Sequence, residues 1–404
     1  MIQDSIHFFI QEEKLRQKKG LVLIASENYT PESVREVVGS ILMNKYVEGN
    51  VGSRYYAGCE FIDAIEQETI DRFKKIFKAD HVNVQPHSGS QANFAVYYAL
   101  LQPGDTILSM KLSDGGHLTH GHKVNMSGAL YNIVSYGVCP ETQLLDYDQL
   151  EKLAIQHKPK LIIAGTSSYS QIIDFEKIGH IARSVGAFFL ADIAHIAGLV
   201  AVGLHPSPIE HADVVTMTTH KTFRGPKGGV ILCKKELATK IDRAVMPGTQ
   251  GGAFMHEIAG KGVAAGLAML PEFIEYQKQI LLLARTMADV FIKLGYTVIS
   301  GGTQTHLFVI DVRPLGCTGK EIEQALESVG MYVNRNAIPF DTLPPLQAGG
   351  IRVGTAALAS RGATVSDALL IVELMHIVMD CMRYKKAIPS DISLKVGNIT
   401  DRLL

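Results

Sequence analysis

The chain has little net charge, few cysteines and no long uninterrupted apolar run. Its 39 Lys and Arg against 40 Asp and Glu leave a net charge of -1, so composition gives no reason to expect nucleic acid or an anionic membrane as a partner. The five cysteines are dispersed without a C-x-x-C pair. This pattern argues against a disulfide framework and against a structural zinc site, and it favours a reducing cytoplasm.

The start of the chain, residues 1–4, lacks a basic region followed by an apolar stretch, so no secretion signal is visible. The most hydrophobic stretch, residues 185–202, is interrupted by Asp192 and His195. These residues would be costly in a bilayer but are candidate site residues in an α/β core. With 404 residues, 47% of them hydrophobic and 20% charged, we expect a soluble globular protein of two domains.

Apolar runs typical of strands alternate with helical stretches from about residue 80 to about residue 235. The predicted strands are Thr106–Met110, Leu161–Thr166, Ala187–Asp192, Val214–Thr219 and Gly229–Cys233, and the predicted helices between them include Gln91–Leu101 and Phe175–Val185. Continuous apolar strands that alternate with helices indicate an α/β fold with a mostly parallel sheet covered on both faces. In such sheets ligands bind beyond the carboxyl ends of the strands.

The C-terminal part predicts a smaller α+β domain. A long helix is expected over residues 271–294, because Pro271 suits a helix start and Gly295 follows its end. Beyond it, His306–Val312 is a predicted strand, a capping box at residues 318–321 opens a helix that closes at Gly330, and Val365–Met382 is a further helix. We therefore expect an N-terminal arm over residues 1–15, a large domain over 16–270 and a small domain over 271–404.

Lys221 is the most informative residue, since it follows an apolar strand and precedes a glycine-rich turn. Burial of an ammonium is costly, so desolvation lowers the pKa of such a lysine, and the neutral amine can form a Schiff base. Asp192 ends another apolar strand, and Ser88-Gly89-Ser90 opens a helix whose free N–H groups suit a phosphate. Lysine, aspartate and helix start together match the Schiff base, ring nitrogen and phosphate contacts of pyridoxal phosphate.

Each of these residues also has a simpler interpretation. Ser88 alone is an ordinary helix N-cap, Asp192 a strand-end turn aspartate and His195 a hydrogen-bonded core histidine. His117 lies in a glycine- and histidine-rich tract that could stack on a flat ring or, less readily, bind a metal. Arg352 in a glycine-bounded apolar strand needs an anion, either a substrate carboxylate or a structural partner.

A succession of motifs closely resembles the serine hydroxymethyltransferase family of fold-type I pyridoxal phosphate enzymes. The resemblance spans nearly the whole chain and is carried by the segments 23–29, 44–46, 54–56, 83–93, 115–121, 219–222, 248–252 and 301–303. It implies a large domain with a mostly parallel seven-stranded sheet between helices, a smaller C-terminal α+β domain and a homodimer with shared active sites.

The resemblance also implies residue roles. Lys221 would carry the cofactor, with Asp192 on the ring nitrogen, and the further cofactor contacts would be His117, His195, Ser167, Ser88, Gly89, Ser90, Tyr46, Gly251 and Gly252. Glu48 would be the acid/base group, with His220 and Tyr56 in the catalytic set. The amino-acid substrate would be held by Ser26, Arg352, Tyr56, Glu48 and His195, and tetrahydrofolate by Leu112, Gly116, His117, Leu118, Tyr55 and Asn336.

Some positions differ from the family pattern. Lys227 occupies a position where the family usually has arginine. Ala253-Phe254 replaces a usual Pro-Leu, Pro344-Pro345-Leu346 replaces a usual Ser-Pro-Phe, and Ala356 replaces a usual proline. Asp114 adds a negative charge beside the predicted folate residues.

The resemblance implies reversible transfer of the serine hydroxymethyl carbon to tetrahydrofolate, which gives glycine and 5,10-methylenetetrahydrofolate. An alternative is a folate-independent aldolase or transaldolase acting on β-hydroxy amino acids such as allo-threonine. Such an enzyme would share the cofactor residues and differ at the folate pocket. A non-catalytic binding protein is a further alternative, but Lys221, Asp192 and Arg352 are all present.

Overall fold

A computed structural model describes residues 4–403 and divides the chain into two compact units. The large unit is Thr30–Lys278, and the small unit combines the described residues of Met1–Tyr29 with those of Gln279–Leu404. The predicted boundaries differ from this division. Residues 16–29, expected in the large domain, belong to the small unit, and the predicted arm ends inside helix α1 (Ser5–Lys19), which strand β1 (Leu21–Val22) follows.

The large unit alternates helices and strands. In chain order they are α2 (Glu32–Val38), β2 (Gly49–Asn50), β3 (Ser53–Arg54), α3 (Glu60–Phe77), β4 (His81–Asn83), α4 (Gly89–Leu100), β5 (Thr106–Met110), α5 (Met126–Leu130), β6 (Asn132–Tyr136), α6 (Tyr147–His157), β7 (Leu161–Gly165), α7 (Phe175–Val185), β8 (Phe188–Asp192), α8 (Ala197–Ala201), β9 (Val214–Thr218), β10 (Gly229–Cys233), α9 (Ala238–Arg243) and α10 (Met255–Ala268).

Seven of these strands form one sheet in the order β4-β10-β9-β8-β7-β5-β6. Strand β10 runs antiparallel to both neighbours, and the other pairs are parallel, so the predicted mostly parallel seven-stranded sheet is confirmed. All five predicted strands are present with ends shifted by at most one residue, and helix α4 begins two residues before its predicted start. Strands β4 and β6, which the apolar pattern did not reveal, are the two edges of the sheet.

Apolar side chains hold helix α4 against the sheet. Tyr97 and Val96 are fully buried in a cluster with Ile163 and Leu190 of the central strands. Each such side chain contributes about 1.5–3 kcal/mol when it leaves water. This burial fixes the start of α4 at the carboxyl edge of the sheet, where β8 ends at Asp192.

Helix α11 (Pro271–Lys293) contains the boundary between the units, one residue shorter than predicted. The small unit continues with β11 (Thr297–Val298), β12 (Leu307–Asp311), α12 (Gly319–Glu327), β13 (Met331–Tyr332), β14 (Asn334–Asn336), β15 (Gly350–Gly354), α13 (Ala356–Ser360), α14 (Val365–Arg383) and α15 (Ile392–Thr400).

The small unit has a sheet in the order β11-β12-β15-β14 and a parallel pair of β1 with β13. The predicted capping box is present, since Thr318 Oγ1 accepts from the Glu321 N–H and the Glu321 carboxylate accepts from the Thr318 N–H. Throughout residues 4–403, no helix combines the length and apolarity needed to cross a membrane.

Candidate active site

Lys221 is buried in a turn that is tied to the segment following Asp192. The chain leaves β9 at Thr218, and the Thr222 hydroxyl donates to the His195 carbonyl at 2.9 Å. The same hydroxyl accepts from the Gly198 N–H at 3.0 Å. Lys221 itself is 8% exposed. Two polypeptide segments that are adjacent only in space therefore hold the lysine and the aspartate at one edge of the sheet.

Asp192 is a carboxylate whose side chain is only 10% exposed, and it has three hydrogen-bond donors among the described residues. Its Oδ2 accepts from His120 Nε2 and from Asn93 Nδ2, each at 2.9 Å, and its Oδ1 accepts from the Ala194 N–H at 3.0 Å. Burial alone would raise the pKa of Asp192, but the hydrogen bonds and the charge of His120 outweigh it and hold the pKa well below its usual range. Since a carboxylate offers about four acceptor positions, the donors within residues 4–403 leave one for a further donor.

A directed chain of hydrogen bonds leads from Asp192 to His117. The Thr216 hydroxyl donates to Asn93 Oδ1 at 2.7 Å, and the Asn93 amide donates to both Asp192 and Thr119 Oγ1. The Thr119 N–H donates to His117 Nδ1 at 3.2 Å, and the Thr119 hydroxyl lies 2.7 Å from the same atom. Because a backbone N–H can only donate, His117 Nδ1 is the acceptor, and a neutral His117 carries its proton on Nε2.

The helix start Ser88–Ser90, called the cradle below, combines an N-cap with a close backbone approach. Ser88 Oγ accepts from the Gln91 N–H at 3.2 Å, so Ser88 is a helix N-cap, as its simpler interpretation predicted. A Cβ added at Gly89 would lie 2.5 Å from Thr218 Cγ2, so only glycine lets α4 begin this close to β9. The first N–H groups of a helix lack intrahelical acceptors and are suited to an anion.

Ser167 and Gly116 join the loop after β7 to the histidine tract. The Ser167 hydroxyl donates to the Gly116 carbonyl at 2.6 Å. A Cβ at Gly116 would lie 2.3 Å from the Met110 carbonyl, so this position requires glycine. Leu112 and Leu118 on either side are exposed, as a binding surface for a flat apolar ligand requires.

Asp114, which differs from the family pattern, is buried and accepts hydrogen bonds from its own chain. Asp114 is 6% exposed, and its carboxylate accepts from the Ser113 hydroxyl at 2.8 Å and from the Val138 N–H at 3.2 Å. This carboxylate is engaged by its own loop and by the segment after β6, and its effect on the neighbouring predicted folate residues stays a prediction.

His220 is partly buried, and its environment keeps it neutral. Burial, followed by the charges of Lys227 and Lys221, lowers the pKa of His220 to about 3. Among residues 4–403, its Nδ1 has no hydrogen-bond partner. A histidine with such a pKa is a weak base at neutral pH.

A second group of predicted residues lies together in the large unit and is largely exposed. Tyr46 donates to Glu48 Oε1 at 3.3 Å, and its ring contacts that of Tyr56 edge-on with centroids 5.3 Å apart. The Glu48 charge and this hydrogen bond raise the pKa of Tyr46. A Cβ at Gly252 would lie 2.8 Å from the Val47 carbonyl, so the Gly251–Gly252 segment runs beside this group. Tyr46, Tyr55 and Tyr56 are 59%, 76% and 44% exposed.

The remaining predicted residues belong to the small unit. Arg352 lies on β15, is 9% exposed and donates from Nε to Asn334 Oδ1 at 3.0 Å. Burial lowers its pKa to about 10. The Gly354 N–H donates to the Leu23 carbonyl at 2.8 Å, so the segment that leads to Ser26 lies beside the end of β15. Asn336 ends β14, opposite Gly350 of β15.

Sequence reasoning assigned no role to Asn93, Thr119 and His120. All three are in motifs that carried the family resemblance, and His120 follows His117 by three residues around a short helical turn. That spacing was visible, but the convergence of His120 and Asn93 on Asp192 depends on tertiary contacts 72 and 99 residues apart.

Comparison with known proteins points in the same direction as this geometry. A sequence profile described as "Serine hydroxymethyltransferase" matches residues 1–375. A protein of Coprothermobacter proteolyticus described as "Serine hydroxymethyltransferase" is 56% identical over 366 residues, which cover 91% of this chain and 88% of the relative. This chain therefore belongs to the serine hydroxymethyltransferase family.

Proposed function

We propose that this chain catalyses reversible transfer of the hydroxymethyl carbon of L-serine to tetrahydrofolate, with pyridoxal phosphate as cofactor. The products are glycine and 5,10-methylenetetrahydrofolate. Membership of the serine hydroxymethyltransferase family supports this reaction and its cofactor. The structural observation that carries it is Asp192, a carboxylate held ionised in the core at the end of β8, beside the buried Lys221 turn.

The donor set of the large unit fits pyridoxal phosphate. Lys221 would hold the aldehyde carbon, Asp192 the ring nitrogen, and the cradle the phosphate, while His117, His195 and Ser167 complete the contacts. When bound, this cofactor supplies an electron-withdrawing ring that stabilises negative charge at the substrate Cα. The acceptor position left on Asp192 and the close approach at Gly89 support this fit.

Asp192 keeps a proton on whatever basic nitrogen it contacts. Its low pKa would make proton transfer from the ring nitrogen to the carboxylate unfavourable, so Asp192 would hold the proton on that nitrogen when the cofactor is bound. The hydrogen bond from the Thr119 N–H to His117 Nδ1 would define the orientation of the His117 ring for stacking on the cofactor.

Glu48 is the proposed acid/base group for the departing hydroxymethyl carbon and the folate amine. Its contact with Tyr46 and the nearby Tyr56 would orient the carboxylate. A positioned carboxylate of this kind contributes about a hundred- to ten-thousand-fold to such proton transfers. The low pKa of His220 argues for a neutral, positioning role for that residue rather than for a base.

We further propose a homodimer in which the Tyr46–Glu48–Tyr56 group serves the partner's active site. Its exposure supports this arrangement, since catalysis needs a desolvated carboxylate. Other exposed apolar residues support a second copy as the covering surface: Ile41, Met43, Phe61 and Tyr98 in the large unit, and Ile6, Phe8, Phe9 and Ile10 on α1. The five unbridged cysteines support a cytoplasmic location.

For the substrates, we propose Arg352 and Ser26, with His195, as ligands of the amino-acid carboxylate. A buried guanidinium whose pKa is already lowered gains most from an added anion. Leu112, Gly116, Leu118, Tyr55 and Asn336 are the proposed folate contacts. The folate-independent aldolase is kept as the alternative by Asp114 and by the Pro344–Leu346 difference.

The deciding experiment is glycine formation from L-serine by the cofactor-loaded protein, with and without tetrahydrofolate. We expect turnover to depend on tetrahydrofolate, with one methylenetetrahydrofolate formed per glycine. Equal glycine formation without folate, together with cleavage of allo-threonine at a comparable rate, would instead establish the aldolase.

A further inference from the structure

Lys261 is a fully buried lysine that the proposed reaction does not use. It lies on α10, is 1% exposed and is tightly enclosed, since a Cβ at Gly228 would lie 2.3 Å from Lys261 Cε. Its ammonium donates to the carbonyls of Val84 at 2.7 Å, Pro86 at 3.0 Å and Gly229 at 3.0 Å. Within residues 4–403 these carbonyls are its only hydrogen-bond acceptors, so no carboxylate directly neutralises the charge.

The three carbonyls belong to the backbone that surrounds the cradle. Val84 and Pro86 lead directly into Ser88, and the Gly229 N–H donates to the Pro86 carbonyl at 3.1 Å. A Cβ at Gly229 would lie 2.3 Å from the Ser88 carbonyl and 3.1 Å from the Gly89 N atom. The ammonium therefore holds together the chain entering the cradle and the strand that lies against it.

The charges around Lys261 leave it short of an anion. Glu66, on α3, is bonded to Arg54 at 2.6 Å and Gln85 at 2.8 Å, and Glu257, on α10, is a partly buried carboxyl whose pKa is raised by burial. Burial lowers the pKa of Lys261 to about 7, against weaker favourable effects of Glu257 and Glu66. An anion bound nearby would favour the ammonium form, because opposite charges stabilise each other in a low-dielectric interior.

We propose that Lys261 is a positioning residue for the cofactor's phosphate group: its ammonium fixes the backbone on both sides of the cradle and supplies positive charge behind it. The inference rests on the proposed cofactor site and extends it to a residue outside the binding surface. Lys261 does not touch the cofactor but acts through the carbonyls of Pro86 and Gly229, which lie beside the cradle. We therefore expect Lys261 to affect the affinity only for ligands that carry a phosphate.

The test compares the dissociation constants of pyridoxal phosphate and of pyridoxal, which lacks the phosphate, for the wild-type protein and Lys261→Met. Methionine keeps the unbranched stem and removes the charge and its donors. We expect pyridoxal phosphate to bind roughly 10- to 100-fold more weakly, the loss typical of hydrogen bonds to a charged group, with pyridoxal affinity unchanged. Lys240→Met, an exposed lysine of the same unit, is the matched control and should change neither constant.

Two outcomes would overturn the proposal: equal weakening of both ligands, which indicates a merely structural role, or no change in either. If Lys261→Met does not fold, Lys261→Gln, which keeps a neutral donor, is measured in the same way and should lose phosphate discrimination in part. The proposed cofactor site is tested separately by the wild-type protein, which should bind pyridoxal phosphate far more tightly than pyridoxal. If the wild-type protein shows no such preference, the cradle itself is wrongly assigned, whatever Lys261 does.

Discussion

Asp192 illustrates how a single buried side chain is kept in a defined charge state. Burial opposes ionisation, but His120, Asn93 and the Ala194 N–H together favour the charged form. Asn93 has a double function, because its amide also orients the Thr119 hydroxyl that contacts His117. Asp192, the proposed contact of the ring nitrogen, and His117, proposed to stack on the ring, are thus linked by hydrogen bonds through one asparagine.

Replacing Asn93 by alanine should weaken catalysis while leaving the fold intact. We expect kcat to fall roughly 10- to 100-fold, because small misplacements of groups at a reacting centre are costly. The KM for serine should change less, since Asn93 is not a proposed substrate contact. Steady-state kinetics of the cofactor-loaded variant provide the measurement, with exposed Asn398→Ala as control. Unchanged kcat in Asn93→Ala would show that His120 and the Ala194 N–H suffice to orient Asp192.

The start of helix α4 depends on the absence of a side chain at Gly89. Gly89→Ala places a methyl group 2.5 Å from Thr218 Cγ2, a buried and β-branched neighbour that cannot rotate away freely. We expect pyridoxal phosphate to bind about 10-fold more weakly or worse, in line with the cost of overpacking.

The second substitution Thr218→Ser removes the clashing methyl group and keeps the hydroxyl that donates to the Ala194 carbonyl at 3.1 Å. The double variant should therefore recover most of the lost affinity in a fluorescence titration. Failure of this rescue would mean that Gly89 is needed for its backbone contact with the phosphate rather than for its packing.

The capping box of α12 makes a separate prediction for the small unit. Thr318→Ala removes the acceptor for the Glu321 N–H and the hydroxyl that donates to the Glu321 carboxylate at 2.9 Å. The free energy of unfolding should fall by about 1 kcal/mol, while Thr318→Ser should lose only a small part of this. Urea denaturation followed by circular dichroism measures both. Equal losses in the two variants would point to the threonine methyl group rather than the cap.

The predictability of the elements follows their burial. Strands β5, β7, β8, β9 and β10 were recognised because central strands covered on both faces are continuously apolar. Strand β6 is partly exposed and β4 has only three residues, and both lie at sheet edges, so their apolar signal was too weak. The boundaries of the two units could not be predicted from local sequence, since residues 21–22 join the small unit by pairing with residues 331–332.

The proposed shared active site can be tested by mixing inactive variants of the whole protein. Lys221→Ala and Glu48→Gln should each be nearly inactive as homodimers. If Glu48 serves the partner's site, each mixed dimer contains one intact site, and random 1:1 mixing should restore about a quarter of wild-type activity. If Glu48 serves the site of its own chain, mixed dimers contain no intact site and activity stays at the level of the separate variants. Mixing after reversible dissociation, followed by an activity assay, distinguishes the two.

Acid sensitivity is expected from three histidines that are buried or partly buried and whose pKa is lowered. The pKa of His220 is about 3 in the folded chain against its ordinary 6.5, so the unfolded state takes up a proton first as the pH falls. The contribution of neutral His220 to the free energy of unfolding is fully present above about pH 6.5 and is lost progressively towards pH 3. The loss is on the order of a few kcal/mol. Burial lowers the pKa of His87 and His205 as well, which adds to the same trend.

Thermal unfolding between pH 7 and pH 4 checks this expectation. His220→Gln should lose less stability than the wild-type protein over that range, because its side chain does not titrate. His180→Gln, at an exposed position, should follow the wild-type curve. A wild-type curve that is parallel to that of His220→Gln would show that this histidine does not carry the acid sensitivity.

The sequence by itself determined the family, the central strands and the residue types at the site, because burial periodicity, caps and glycine-dependent turns are local properties of the chain. It indicated Lys221, Asp192 and Ser88–Ser90 as candidates, and their roles remain proposals. The tertiary structure decided which groups control the charge of Asp192, that Asp114 is bonded internally, and that Lys261 lies behind the cradle. These features depend on contacts between segments far apart in sequence, whose burial and hydrogen bonding exist only once the chain has folded.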